Sequence, residues 1–245
     1  MKTDLTGSTA LVTGATAGIG RATALALAEH GAAIVVHGRD PERGADAVAR
    51  IDALGGTARF ESADLSDPAD VRRLAAAVGE IDILVNNAGI FRFGSTVDTD
   101  DAAFDAHVDI NLRAPFLLVQ ALVPAMAARG RGAVVNVSSG AAAVPGRGSG
   151  IYGASKAALE SLTRVWAAEF GPAGVRVNTV AAGPTRTEGT AVFGDQFEAV
   201  GQLTALRRLV DADEIANTIV FLASPAAGYV NGTVLTALGG TPAVG

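Results

Sequence analysis

Along the chain, short runs of β-branched and aliphatic residues alternate with Ala- and Leu-rich stretches from one end to the other. The runs predict strands over residues 10–13, 33–37, 57–61, 81–85, 133–137, 175–180 and 233–235. Between them the pattern predicts helices over 18–30, 41–54, 68–78, 100–129, 152–170 and 213–223. Strict alternation of this kind implies an α/β fold with one parallel sheet covered by helices on both faces. The strands read as continuous apolar runs, as strands buried on both sides do. Asp40-Pro41 and Asp67-Pro68 each set a capping acid before a proline at the first helical position. Gly31 and Gly55 fall where a left-handed cap ends a helix. No linker-like tract or repeat divides the chain, so one domain over 1–245 is expected.

Composition narrows the class. Hydrophobic residues make up 49% of the 245 and charged residues 18%, against roughly 25% charged in an average soluble protein. So few charges suggest that part of the surface is buried in a homo-oligomer. The net charge is −6 and no Lys/Arg block occurs, which argues against nucleic acid and anionic lipid as partners. The absence of cysteine excludes disulfides, thiolate catalysis and Cys-ligated metals. His30, His37 and His107 lack ligand spacing, so no metal site is expected. Residues 1–7 lack an apolar signal core, and the apolar stretch 114–128 is broken by Pro115, Gln120 and Pro124. A cytoplasmic protein without a membrane span is the expectation.

After the first strand comes Gly14-Ala15-Thr16-Ala17-Gly18-Ile19-Gly20, opening a helix. Glycines at this spacing let the backbone turn tightly and approach a pyrophosphate, which meets free N–H groups at the helix start. Asp64-Leu65 after the third strand can accept from an adenine amino group. Asn87-Ala88-Gly89, after the fourth, offers small residues beside a ribose or nicotinamide. Ligands of open parallel sheets bind at these carboxyl ends. A ribose-binding acid is expected near the end of the second strand, but His37-Gly38-Arg39 stands there. Glycine cannot accept from a 2′-hydroxyl, whereas the guanidinium fork of Arg39 suits a 2′-phosphate. That favours NADP(H) as cofactor, with NAD(H) left open and a solvated Arg39 as the plainer reading.

Ser138-Ser139 closes the fifth strand, and Tyr152-Gly-Ala-Ser-Lys156 opens the next helix. Tyr152 and Lys156 are four apart and share a helix face. Lysine occurs only at Lys2 and Lys156, and tyrosine only at Tyr152 and Tyr229, in a chain that otherwise chooses arginine. Reducing a carbonyl by hydride needs a proton for the developing alkoxide. A phenol titrates near 10, and a nearby ammonium is expected to draw it down toward a useful range. The Ser139 hydroxyl can hold the same substrate oxygen.

In order and spacing, Thr13-Gly14…Gly18-Ile19-Gly20, Asp64, Asn86-Asn87-Ala88-Gly89, Asn111, Ser139 and Tyr152…Lys156 resemble a short-chain dehydrogenase/reductase over residues 5–240. The resemblance implies a single Rossmann-type, doubly wound domain with a seven-stranded parallel sheet, often assembled as tetramers through its fourth and fifth helices. It implies that Tyr152 is the acid/base, that Ser139 orients the carbonyl, and that Lys156 binds the nicotinamide ribose. Asn111 would hold a water linking Lys156 to a proton relay. The family's serine stands thirteen before its tyrosine, which selects Ser139 and leaves Ser138 to tie down the loop. Departures are Ala182-Gly183-Pro184 in place of Pro-Gly, with Thr187 kept as a cofactor contact, and Leu238 in place of an acid. Residues 185–206 read as a substrate lid with Phe193 and Phe197, and 141–150 and 90–93 as the other walls. Arg92, Arg147 or Arg186 could meet an acidic substrate, though each also reads as a solvated loop arginine. The expected activity is reversible reduction of a ketone or 3-oxoacyl group. Alternatives are an NAD-dependent alcohol or sugar dehydrogenase and, remotely, a non-catalytic dinucleotide-binding redox sensor.

Overall fold

The computed structural model of the chain describes residues 3–144 and 146–240. Seven parallel strands form the central sheet: β1 (Thr9–Val12), β2 (Ala33–Gly38), β3 (Thr57–Ser62), β4 (Ile83–Asn86), β5 (Gly132–Ser139), β6 (Val175–Ala182) and, after two short strands of a separate pair, β9 (Val234–Ala237). Their order is β3-β2-β1-β4-β5-β6-β9. The order reverses between β1 and β4, leaving a crevice at their carboxyl ends. Val12 lies beside both Val36 and Val85, which brings the residues after β1, β2 and β4 to one line.

The two faces of the sheet are covered by different helices. Leu27 of α1 (Gly18–Glu29), Ile51 of α2 (Pro41–Ala53) and Ile215 of α8 (Ala212–Ala223) pack with Ala10, Val12 and Val36 on one face. Leu74 of α3 (Pro68–Val78), Leu118 of α5 (Ala114–Ala128) and Leu159 of α6 (Gly150–Phe170) pack with Leu11, Val35 and Leu84 on the other. Alternate strand residues serve opposite layers, as the period of two requires. The caps form as the sequence implies. Asp40 accepts from the backbone N–H of Glu42 at 2.9 Å, Asp67 accepts from that of Ala69 at 2.8 Å, and Gly31 and Gly55 have positive φ.

Three expectations need correction. β3 is not an apolar run, because it forms the sheet edge and turns Thr57, Arg59 and Glu61 toward solvent or into half-buried positions. The single helix expected over 100–129 is α4 (Asp101–Val108), a π-helical turn (Asp109–Arg113) and α5. Pro115 has no N–H to donate to the carbonyl four residues back, that of Asn111, and its ring crowds that oxygen. The ladder therefore widens there. The lid contains its own helix, α7 (Gly194–Gln202), and its base is clamped by β7 (Thr185–Arg186) pairing with β8 (Val210–Asp211). By length and composition Asp101–Ala128 could cross a membrane, yet half of its most apolar window is packed inside the protein.

Candidate active site

The glycine turn is held from three sides. The backbone N–H of Gly14 donates to Nδ1 of His37 at 3.1 Å, and Nε2 of the same ring meets the carbonyl of Ala63 at 3.1 Å. His37 is buried, and burial pulls its imidazole down to about 4, so it stays neutral. Asn87 donates from its amide to the carbonyls of Thr13 and Gly14 at 2.8 and 3.3 Å. The hydroxyl of Thr13 accepts from the backbone of Asn87 and Ala88, each at 3.0 Å. A Cβ on Gly20 would meet the Gly14 carbonyl oxygen at 2.2 Å, and one on Gly38 would meet the Thr16 methyl at 2.5 Å. Such a cradle, tight beneath and already carrying the Glu188 carboxylate on the Gly18 N–H at the start of α1, is suited to the anionic oxygens of a pyrophosphate. Gly14, Thr16, Gly18, Ile19 and Gly20 line it.

At the end of β2, Arg39 is exposed, and Arg43 reaches the carbonyl of Thr16 at 3.5 Å. Two guanidinium groups therefore stand near the turn where one was expected. Asp64 is exposed and accepts from the backbone N–H and hydroxyl of Ser66 at 2.9 and 2.8 Å, which holds its carboxyl below the usual range. Leu65 beside it is buried.

Across the crevice, the first two turns of α6 present Tyr152 and Lys156. Burial pushes the Tyr152 phenol above its ordinary value, and its hydrogen bond with Ser139 acts in the opposite direction. Lys156 is buried, donates to the carbonyl of Val137 at 2.8 Å, and is drawn down to about 8 by burial. A Cβ on Gly89 would lie 3.1 Å from both Lys156 Nζ and Asn111 Oδ1, so three of the expected residues converge. The Asn111 side chain is fully engaged. Its oxygen accepts from the Ile90 N–H at 2.9 Å, and its amide donates to the Ile90 carbonyl and the Ser155 hydroxyl at 3.0 and 3.1 Å. Its main-chain carbonyl lacks the helical donor four residues on, because Pro115 has no N–H.

Several positioning residues escaped sequence reasoning. A buried chain runs from Asn86 to Asn136 (2.9 Å), on to Thr163 of α6 (2.8 Å) and then to Thr179 of β6 (2.7 Å). It pins α6 to the sheet and thereby fixes the depth of Tyr152. Polar residues inside otherwise apolar strands were the available signal. Ser138 does not tie down a loop; it donates to Glu160 of α6 at 2.7 Å, because it faces away from Ser139.

Gly183 donates to the Ala237 carbonyl at 3.0 Å, and Leu238 packs over both Gly183 and Gly140, so the departures from the family pattern meet beside the Ser139 loop. Thr187 stands against Gly18, within 3.1 Å of where a Cβ would lie. Its neighbour Glu188 accepts from the Gly18 N–H at 3.0 Å and pairs with Arg21. Burial opposes that carboxylate, but its hydrogen bonds prevail and hold its pKa low. Arg186 is exposed and pairs with Glu198 and Asp211. Pro145, in the 141–150 wall, lies outside the described residues. Among the described residues no cluster of His, Cys, Asp and Glu could hold a metal.

A family model described as enoyl-(acyl carrier protein) reductase matches residues 14–241. A solved short chain dehydrogenase/reductase family protein is 48% identical, with TM-score 0.92 over 97% of this chain and 98% of that one. A protein from Beutenbergia cavernae, described as an NAD(P)-dependent gluconate 5-dehydrogenase with NADP bound, is 35% identical with TM-score 0.93 over 98% of both chains. A 7α-hydroxysteroid dehydrogenase in complex with NADH and 7-oxo glycochenodeoxycholic acid is 34% identical, with TM-score 0.93 over 98% of this chain and 96% of that one. Likeness that runs the length of the chain, rather than along one motif, places this protein in the short-chain dehydrogenase/reductase family, as an oxidoreductase that works on alcohol and carbonyl groups with a nicotinamide dinucleotide.

Proposed function

We propose that the chain is an NADP(H)-dependent reductase of a ketone or 3-oxoacyl group, running in reverse as an alcohol dehydrogenase. The observation that carries this reading is the placement of Tyr152, near the start of α6, beside Ser139 at the carboxyl end of β5, with Lys156 one turn further along the helix. Gly14 to Gly20, Asp64, Leu65, Asn87, Ala88, Gly89, Gly183 and Thr187 would hold the cofactor, which would supply or accept the hydride when bound. Burial keeps the Tyr152 phenol protonated at neutral pH, which suits it to donate to a developing alkoxide. Ser139 donates to the same oxygen and orients the carbonyl. Lys156 anchors the ribose hydroxyls and, with the Asn111 carbonyl and a water, returns a proton to Tyr152. Because Tyr152 titrates high, reduction should hold through neutrality, and oxidation, which needs phenolate, should rise with pH.

Arg39, with Arg43 nearby, supports NADP(H) over NAD(H), since an arginine directly follows β2 and the next residue, Asp40, is engaged in capping α2. The NADH bound by the hydroxysteroid dehydrogenase favours the second reading, an NAD-dependent alcohol dehydrogenase. Titrating the purified protein with NADPH and NADH, followed by reduced-nicotinamide fluorescence, decides between them. Tighter NADPH binding is expected, tighter NADH binding selects the second reading, and binding of neither overturns both. A second copy of the chain is the proposed occupant of the apolar groove between α4, α5 and α6, lined by Val108, Leu112, Phe116 and Leu162. Sedimentation should show a dimer or tetramer that Phe116→Glu dissociates.

A further inference from the structure

Four of the chain's nine phenylalanines form a continuous series of ring contacts that ends on the proton donor. The Phe93 ring meets Tyr152 edge-on at a centroid distance of 5.8 Å and an angle of 75°. Phe91 lies 6.4 Å from Phe93 and 6.3 Å from Phe193, and Phe193 lies 6.1 Å from Phe197 of α7. The series thus crosses from the loop after β4 to the lid. Its rings are not hidden: Phe93 is 58% exposed, Phe193 39% and Phe91 37%.

Both sides are built in place. On the β4 side, the Arg92 N–H donates to Nε2 of the buried His107 at 3.2 Å, and His107 Nδ1 meets the Ala103 carbonyl at 2.7 Å. Gly94 donates to the Gly148 carbonyl at 2.9 Å. Phe91 and Phe93 therefore flank a residue whose backbone is tied to the protein interior. On the lid side, the Phe193 N–H donates to the Thr190 carbonyl at 3.1 Å, and the Thr190 hydroxyl donates to the Thr185 carbonyl at 2.9 Å. Contiguous apolar surface held open beside convergent polar groups marks a ligand wall. Aromatic rings reward a flat apolar partner through edge and face contacts. They offer nothing to the hydroxyls of a polyol, which would lose water without gaining partners. Two charged lid groups that could have met such a substrate are engaged elsewhere, Arg186 with Glu198 and Asp211, and Glu188 with Arg21 and Gly18.

We propose that Phe91, Phe93, Phe193 and Phe197 form an aromatic clamp that selects carbonyl substrates bearing an aryl group, in preference to keto-sugar acids and short aliphatic ketones. His107 is the positioning residue of its fixed jaw. This deepens the ketone-reductase reading and rests on it for turnover, though not for binding.

The probes are 4-phenyl-2-butanone, 2-butanone and 5-ketogluconate, assayed with whichever of NADPH and NADH the protein binds. The phenyl ketone should exceed 2-butanone in kcat/KM by about 10- to 100-fold, the range for burying one large apolar group. Phe93→Ala and Phe193→Ala should each erase most of that margin, through a raised KM for the phenyl ketone, while cofactor affinity stays within about twofold. His107→Ala should do the same more weakly. Phe193→Leu, which keeps apolar bulk, guards against a variant that fails to fold and should retain an intermediate margin. Equal use of 2-butanone or 5-ketogluconate by the unaltered protein overturns the clamp and leaves the reductase standing. Calorimetric titration with the same compounds needs no turnover. Selective binding of the phenyl ketone without reduction upholds the clamp and sinks the reductase, and no such selectivity overturns the clamp.

Discussion

The two sides of the crevice are built on opposite plans. On the cofactor side, Gly14, His37, Ala63, Thr13 and Asn87 lock backbone groups from β1, β2, β3 and β4 to one another through buried polar side chains. On the substrate side, Tyr152 meets Phe93, the first of four phenylalanine rings from the loop after β4 and from the lid, and those rings are partly exposed. The first plan holds donors still for a ligand with fixed phosphates. The second presents apolar surface whose reach changes with a few side chains. Changes on the cofactor side should therefore cost stability and cofactor affinity together, and changes on the substrate side should alter selectivity alone.

The sharpest separation comes from Tyr152→Phe, which removes the phenol and little else. Turnover should fall by about 10²- to 10⁴-fold, the usual contribution of a general acid, while fluorescence titration shows unaltered cofactor binding. Next in size is acid sensitivity on the cofactor side. His37 is held neutral down to about 4, while in the unfolded chain it protonates near 6.5. Below 6.5 the unfolded state therefore binds a proton that the folded state refuses, so stability falls as pH drops from 6.5 to 4. The loss approaches about 3 kcal/mol for a shift of this size. Denaturant melts across that range should show this component in the native protein and not in His37→Gln. The same variant should weaken cofactor binding at neutral pH, because a longer, flexible amide replaces the ring that bridges the Gly14 N–H and the Ala63 carbonyl.

A smaller effect is expected at the rim. Arg39→Asp should move the ratio of NADPH to NADH affinity by at least about tenfold, the worth of a charge-assisted hydrogen bond. An unchanged ratio would remove Arg39 from the phosphate site. Smallest is Glu188→Gln. Glu188 already sets a carboxylate on the Gly18 N–H, where the turn is suited to an anion. Removing that charge should tighten dinucleotide binding by about two- to fivefold, in keeping with one charge at a helix N-terminus. Weaker binding would show instead that Glu188 supports the site.

Most of the cofactor side was legible before any fold was known, because its signals are local. Gly14, Gly18 and Gly20 declare a tight turn within seven residues, and Tyr152 and Lys156 share a helix face by spacing alone. His37 was read only as a histidine without metal spacing. Its two partners come from β1 and from the residue after β3, 23 and 26 positions away. The break at Asn111 had a signal, Pro115 four residues later, that the apolar periodicity of 100–129 overrode. Phe193 and Phe197 were read in the lid and 90–93 as a facing wall, yet nothing along the chain says that the four rings touch in series.

By itself, then, the sequence determined the alternation of strands and helices, the phosphate-ready turn, and the tyrosine and lysine of the chemistry. Each depends on residues within a turn or two of one another, where spacing dictates geometry. The tertiary structure alone decided that Lys156 is buried and hydrogen-bonds to Val137, that Ser138 braces α6, and that Arg186 pairs with Glu198 and Asp211. It also decided that four phenylalanines line up on the proton donor. These outcomes turn on which loops the sheet order brings face to face and on how deeply each charge is buried, and neither quantity is written in local spacing.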